Sequence, residues 1–282
     1  MRFGISTHLF HDQKLDRSHL ALIASYGFDA IELFATRSHF DYQDASAIDA
    51  LAGWLIETGL TLHSVHAPIT DRFGAGDDWT STFSNAVTDP AGRQAAVQEA
   101  AAVLLMARRL PFKVLVVHLG TPEGRQAPGD NNRGAATRSA EEICRLAEPF
   151  GVRVALEVIP NALSTPASLT ELIERDLDAP VAGICLDFGH AFLGGDVPDA
   201  IETVAEHLIA THVHDNHRRR DEHLVPYLGS IDWDAALMSM QKIGYDGMYL
   251  MELANTGTPA AVLEQARRAR QQFEKAMAWA WE

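Results

Sequence analysis

Cysteine is scarce in this chain, with Cys144 and Cys185 the only two among 282 residues. They stand far apart and outside the paired spacing of a zinc ribbon or a thioredoxin-type site. That argues against a disulfide framework and leaves two reduced, buried thiols as the expectation. Long apolar runs are missing as well: none approaches the length of a bilayer span. The amino terminus, MRFGISTHLF, enters a strand-like pattern without the basic region, apolar stretch and small-residue cleavage site of a secretory signal. A cytoplasmic protein is expected. Positive charge is also in short supply, since 23 Lys and Arg face 38 Asp and Glu for a formal net charge of -15. Nucleic-acid binding takes most of its affinity from Lys and Arg placed on phosphates. This balance therefore opposes a nucleic-acid partner and suits a small neutral or modestly charged substrate. No G-x-G-x-x-G follows the first strand pattern, which weakens an open, doubly wound dinucleotide-binding sheet, and no linker or low-complexity stretch divides the chain.

What is present is an ordinary globular composition, 47% hydrophobic and 22% charged, in a length that fits one barrel of the usual size. Short β-type runs alternate with longer helical ones from end to end, the pattern of a parallel sheet with crossover helices. Eight strands are predicted: RFGIST from Arg2, DAIELF from Asp29, TLHSVH from Thr61, KVLVVH from Lys113, VRVALEV from Val152, AGICLD from Ala182, IATHVH from Ile209 and GMYLMEL from Gly247. Between them, Asp89 with Pro90 and Thr165 with Pro166 read as N-cap and first-turn pairs, and Gly27, Gly59, Gly151 and Gly244 fall where helix C-caps belong. The expectation is an α/β fold, a single (β/α)8 TIM barrel occupying residues 1–282 as one domain. Long polar loops at Ile69 to Thr88, Leu119 to Arg133 and Asp215 to Ser230 follow strand ends and would form its binding rim. A homo-oligomer is compatible with all of this, and a membrane partner is not expected.

The strand ends carry the chemistry. His66 closes the third strand, His118 the fourth, Glu157 the fifth, Asp187 the sixth, His212 or His214 the seventh and Glu252 the eighth. Parity sets their direction: Val114 and Val116 share a face with His118, Ala155 with Glu157, and Met248 and Leu250 with Glu252. If those apolar faces fill the barrel, the polar end residues converge above them, where a barrel keeps its active site. One His or carboxylate at a strand end is as often a satisfied structural residue, but six strands ending this way are harder to dismiss. Several carboxylates in one apolar mouth would repel one another and lose solvation, and a divalent cation removes that difficulty. Mixed imidazole and carboxylate donors suit zinc, manganese or iron, with magnesium or cobalt as alternatives, and 13 histidines is a high count for this length. In LDFGH, His190 follows Asp187 by three residues, close enough for one turn to bring both to a single site. In HVHDNHRRRDEH, Asp221 and His223 stand two apart in a loop able to fold back over the mouth, although a charged segment of this kind is on its own more often simply solvated.

These elements resemble the xylose isomerase-like barrel superfamily of sugar isomerases and epimerases, which also contains the endonuclease IV type of DNA-repair enzyme. The resemblance runs from the first strand through GYDGMYLMEL. It is most specific in LEV with Glu157, LDFGH with Asp187 and His190, HVHDN followed by DEHLVPYLGSIDW, and MEL with Glu252. It implies that Glu157, Asp187, His212 and Glu252 hold a central metal. His212 is chosen over His214 because Asp215 stands three residues after it, which is the family's spacing. It further implies Glu157 and Glu252 as an acid/base pair, with the metal on adjacent carbonyl and hydroxyl oxygens stabilising the enediolate left by proton removal. His66, His118, His190, Asp221 and His223 match additional ligands of the endonuclease-like branch. His8, at the end of the first strand, and Arg218, six residues after His212, are candidates for binding substrate oxygens. The implied activity is metal-dependent isomerisation or epimerisation of a small sugar, sugar phosphate or keto-polyol. Phosphoester hydrolysis at two or three metals is the alternative, with a metal-dependent keto-sugar dehydratase or lyase as a third reading. A non-catalytic sugar-binding barrel would not require so many ligands.

Overall fold

In the computed structural model, which describes residues 1–71 and 82–279, eight parallel strands close into a barrel in sequence order. They are β1 (Arg2–Ser6), β2 (Ala30–Phe34), β3 (Thr61–His66), β4 (Val114–Val117), β5 (Arg153–Glu157), β6 (Ala182–Asp187), β7 (Leu208–Val213) and β8 (Met248–Met251). The helices around them are α1 (Arg17–Ser25), α2 (Ala45–Thr58), α3 (Pro90–Met106), α4 (Arg133–Ala147), α5 (Pro166–Glu171), α6 (Phe188–Gly194), α7 (Val197–Val204), α8 (Trp233–Lys242) and α9 (Pro259–Trp279). All eight predicted strands are present. His118 and Glu252 stand one residue beyond β4 and β8 rather than at their last positions. The rim loop expected from Ile69 to Thr88 lies partly outside the described residues.

The helix signals act as their chemistry requires. The Asp89 carboxylate accepts from the Gly92 amide and the Thr165 hydroxyl from the Ser168 amide, each ahead of a first-turn proline. Gly59 closes α2 at φ 73°, a left-handed conformation that costs glycine little. No described helix is long and apolar enough to cross a membrane. Cys144 and Cys185 are both buried and unbridged.

Strand parity separates two kinds of packing. Ile5, Ile31, Val65, Leu115, Leu156, Leu186, Val213 and Met251 belong to the main core that the helices cover. The alternating residues Val114, Val116, Ala155, Cys185 and Ala210 form one interior cluster, and Ala30, Met248 and Leu250 another. Two register shifts adjust this alternation. Ile31 pairs with Leu62 and Glu32 with Ser64, so His63 is an extra residue in β3; Ile184 pairs with Leu208 and Cys185 with Ala210, so Ile209 is extra in β7. A bulge of one residue exchanges the two faces of the strand beyond it. Ser64 and His66 in β3, and Ala210 and His212 in β7, are thereby turned to the interior.

Candidate functional site

In six strands the last interior cluster residue is followed two positions later by a polar one: Ala30 by Glu32, Val116 by His118, Ala155 by Glu157, Cys185 by Asp187, Ala210 by His212 and Leu250 by Glu252. These side chains meet at the carboxyl mouth. His212 Nδ1 lies 3.0 Å from Glu157 Oε1, 3.4 Å from Glu252 Oε2 and 4.0 Å from Asp187 Oδ2. On one side, His66 Nε2 and His118 Nε2 approach Glu157 Oε2 at 3.2 Å and 3.1 Å. On the other, His190 Nε2 and His223 Nε2 each stand 3.1 Å from Asp221 Oδ2, and His214 Nε2 is 2.9 Å from Asp187 Oδ1. Three donor groups result: His66, His118 and Glu157; Glu157, Asp187, His212 and Glu252; and His190, His214, Asp221 and His223. Within each group one donor atom per residue lies within 4.8 Å of the others.

The third group depends on the loop after β7. The buried Asp215 carboxylate accepts from the amides of Asn216, Tyr227, Ser230 and Ile231 and from Trp233 Nε1, drawing both ends of the loop together. Its backbone pairs with Leu224 in both directions. His223 itself sits at φ 45°, an unfavourable conformation for a non-glycine residue that this web of bonds maintains.

The rings are held from outside the cluster. Nδ1 donates to the Ala67 carbonyl from His66 at 2.8 Å, to the Val158 carbonyl from His190 at 3.1 Å and to the Glu252 carbonyl from His223 at 3.0 Å. In each case Nε2 is left facing a cluster carboxylate. His212 is turned the other way, with Nδ1 inward and Nε2 on the buried Glu32. Burial disfavours charge on His190, His212 and His223, yet the facing carboxylates outweigh it and hold all three above the ordinary imidazole range, His223 at about 10. Burial likewise opposes ionisation of Glu157 and Asp221, and the facing imidazoles reverse it, placing both well below the usual carboxylate range.

This arrangement fits a divalent cation. Donors about 2 Å from one ion are necessarily some 3 to 4 Å from each other, as they are around His212 Nδ1. One nitrogen of each of these four rings is fixed by an outer acceptor while the other is aimed inward, which is the arrangement that presents imidazole to a metal.

Sequence reading missed Glu32, although its parity with Ala30 and its place inside a fully buried strand were available signals. His214, weighed against His212, joins the third group instead of the second. His8 lines the mouth cavity, where burial keeps its ring neutral and Nδ1 donates to the Leu253 carbonyl. Arg218 lies elsewhere: its guanidinium covers the Phe192 ring at 4.8 Å and donates to the Gly195 carbonyl, and it is not part of the cavity lining. The cavity measures about 320 Å³ and is also bordered by His11, Phe34, Arg125 and Pro160.

Fold and site together define a (β/α)8 barrel with a polar, histidine-rich mouth. The chain belongs to the xylose isomerase-like TIM barrel family, whose match extends over residues 20–279. It is 29% identical over 263 residues to an uncharacterised protein of Methanocaldococcus jannaschii, covering 90% of this chain and 84% of that one. It is 25% identical over 275 residues to a putative L-ribulose-5-phosphate 3-epimerase of Escherichia coli, with 88% of each chain covered. Among solved structures, a D-tagatose 3-epimerase-like protein superposes with a TM-score of 0.78 at 26% identity, over 99% of this chain and 97% of the other.

Proposed function

We propose that this chain is a metal-dependent isomerase or epimerase of a small sugar, sugar phosphate or keto-polyol, acting by proton transfer at carbon. The observation that carries this reading is the pair of buried carboxylates, Glu157 and Glu252, both within 3.4 Å of His212 Nδ1 at the floor of a cavity of about 320 Å³. A space of that size takes a monosaccharide. Glu157, Asp187, His212 and Glu252 would hold the ion, and zinc, manganese or iron suits this set of nitrogen and oxygen donors. When bound, the ion supplies Lewis acidity to adjacent carbonyl and hydroxyl oxygens, acidifying the hydrogen on the hydroxyl-bearing carbon. Glu157 accepts that proton and Glu252 delivers one, with the roles reversed for the opposite epimer. Neutral His8, donating from Nδ1, has its Nε2 lone pair to accept from a substrate hydroxyl. The two relatives named as 3-epimerases support the same class of chemistry.

The test is to incubate the metal-loaded protein with ketoses and ketose phosphates in deuterated water. Deuterium should appear on carbon. Glu157→Gln should lower that exchange by at least about a hundredfold while an ion is still bound. Retained exchange in the variant would remove Glu157 as the base.

One observation favours a second reading, phosphoester hydrolysis: the three donor groups are contiguous, with Glu157 shared by two of them and Asp187 in contact with His214 of the third. Two or three ions per chain and phosphate release without carbon labelling would decide for it.

A further inference from the structure

His66, His190 and His223 are each anchored through Nδ1 by a backbone carbonyl. His212, at the centre of the site, is the one ring of these four whose outer anchor is a charge. Glu32 Oε1 and Oε2 lie 3.1 Å and 3.2 Å from His212 Nε2, and both side chains are about 1% exposed. The carboxylate is in turn seated by two hydroxyls: Ser6 donates to Oε1 at 3.1 Å and Ser64 to Oε2 at 2.8 Å. The seating is written into the register of three neighbouring strands, since Ser6 of β1 and Ser64 of β3 are the direct partners of Glu32 in β2. Ser64 reaches that position only through the bulge at His63. A buried carboxylate in a barrel interior is costly unless its lone pairs are occupied. Here two serines and one imidazole occupy them.

We infer that Glu32 is a positioning residue for the metal centre: it fixes the proton of His212 on Nε2, so that Nδ1 is presented as a ligand with a set orientation and raised basicity. The inference rests on the metal reading of Glu157, Asp187, His212 and Glu252 given above. Partners of this kind, though they do not touch the ion, change metal affinity by about ten- to a hundredfold. Glu32 does not itself line the cavity; its hydrogen bond into the ligand set is the one to His212.

The experiment measures zinc affinity by chelator competition in the full-length wild type, Glu32→Gln and a Ser6→Ala/Ser64→Ala double variant, with circular dichroism to establish that each is folded. Glu32→Gln keeps the side chain's shape and an acceptor oxygen but loses the charge, and affinity should fall ten- to a hundredfold. The double variant keeps the charge but frees the carboxylate, and should lose at least about threefold; it also carries the test if Glu32→Gln does not fold. In zinc-loaded wild type, ¹⁵N NMR should show His212 protonated at Nε2 and coordinating through Nδ1, a signature that a purely space-filling role for Glu32 would not set. Affinity within twofold of wild type in the folded variants, or coordination through Nε2, overturns the proposal while leaving the metal reading intact. A wild type that binds no divalent ion overturns the metal reading, and this inference falls with it.

Discussion

Asp215 shows how much one residue can organise. Its five donors come from residues 216 to 233, so a single carboxylate fixes the loop that carries Asp221 and His223 to the mouth. Gly229 is part of the same arrangement: a Cβ there would stand 2.3 Å from Asp215 Oδ1 and 2.5 Å from the Asn216 carbonyl oxygen. Replacing Asp215 by Ala strands several buried donors, and urea unfolding should show a loss of about 3 kcal/mol or more. Gly229→Ala should destabilise in the same direction, because the added atom meets backbone that cannot yield cheaply. Wild-type stability in both variants would mean the loop is held by something other than this carboxylate. In the sequence, the spacing of Asp215 marked His212 as the family's metal-binding histidine. In the structure, the acid at that spacing is the anchor of the loop.

At the scale of elements, His39 links two of them in a protonation-dependent way. Its Nδ1 donates to the Gln13 carbonyl at 2.6 Å, and its Nε2, 3.1 Å from the Thr7 hydroxyl, accepts from it; Thr7 in turn accepts from the Phe34 amide at the end of β2. Burial is the main reason its pKa falls to about 4. The unfolded chain, with an imidazole near 6.5, therefore binds more protons over the interval between those values. The stabilisation is complete above about pH 6.5 and is lost as pH falls toward 4. Between pH 7 and pH 5 it should amount to about 2 kcal/mol, read as a shallower stability–pH slope in His39→Gln by urea titration. An identical slope in the variant would assign acid sensitivity to other groups.

The strands themselves were legible because eight apolar runs recur along the chain, six of them ending in metal-binding residue types, and parity alone placed His118, Glu157 and Glu252 on the inner face. The bulges at His63 and Ile209 were not legible. Nothing in TLHSVH or IATHVH marks an extra residue, since the shift is set by pairing with neighbouring strands rather than by local preference. Glu32 was overlooked for a related reason: its partners Ser6 and Ser64 lie 26 and 32 residues away and become neighbours only through register. The grouping of His214 with His190, Asp221 and His223 also depends on a loop path that the sequence alone does not trace.

For the whole molecule, a mouth of about 320 Å³ matches the small substrate proposed above. The barrel brings residues separated by 220 positions, Glu32 to Glu252, to one end, and the proposed chemistry requires Glu157, Asp187, His212 and Glu252 to share one metal ion. The trio Glu174, Glu206 and His207, two exposed carboxylates and a half-buried imidazole, also has ligand types within reach of one another and serves as an internal control. The most direct measurement is anomalous diffraction at the zinc edge from crystals of protein supplied with one equivalent of zinc. The strongest peak is expected about 2 Å from donor atoms of Glu157, Asp187, His212 and Glu252. A map with no peak there, or with zinc only at the surface trio, would contradict the account.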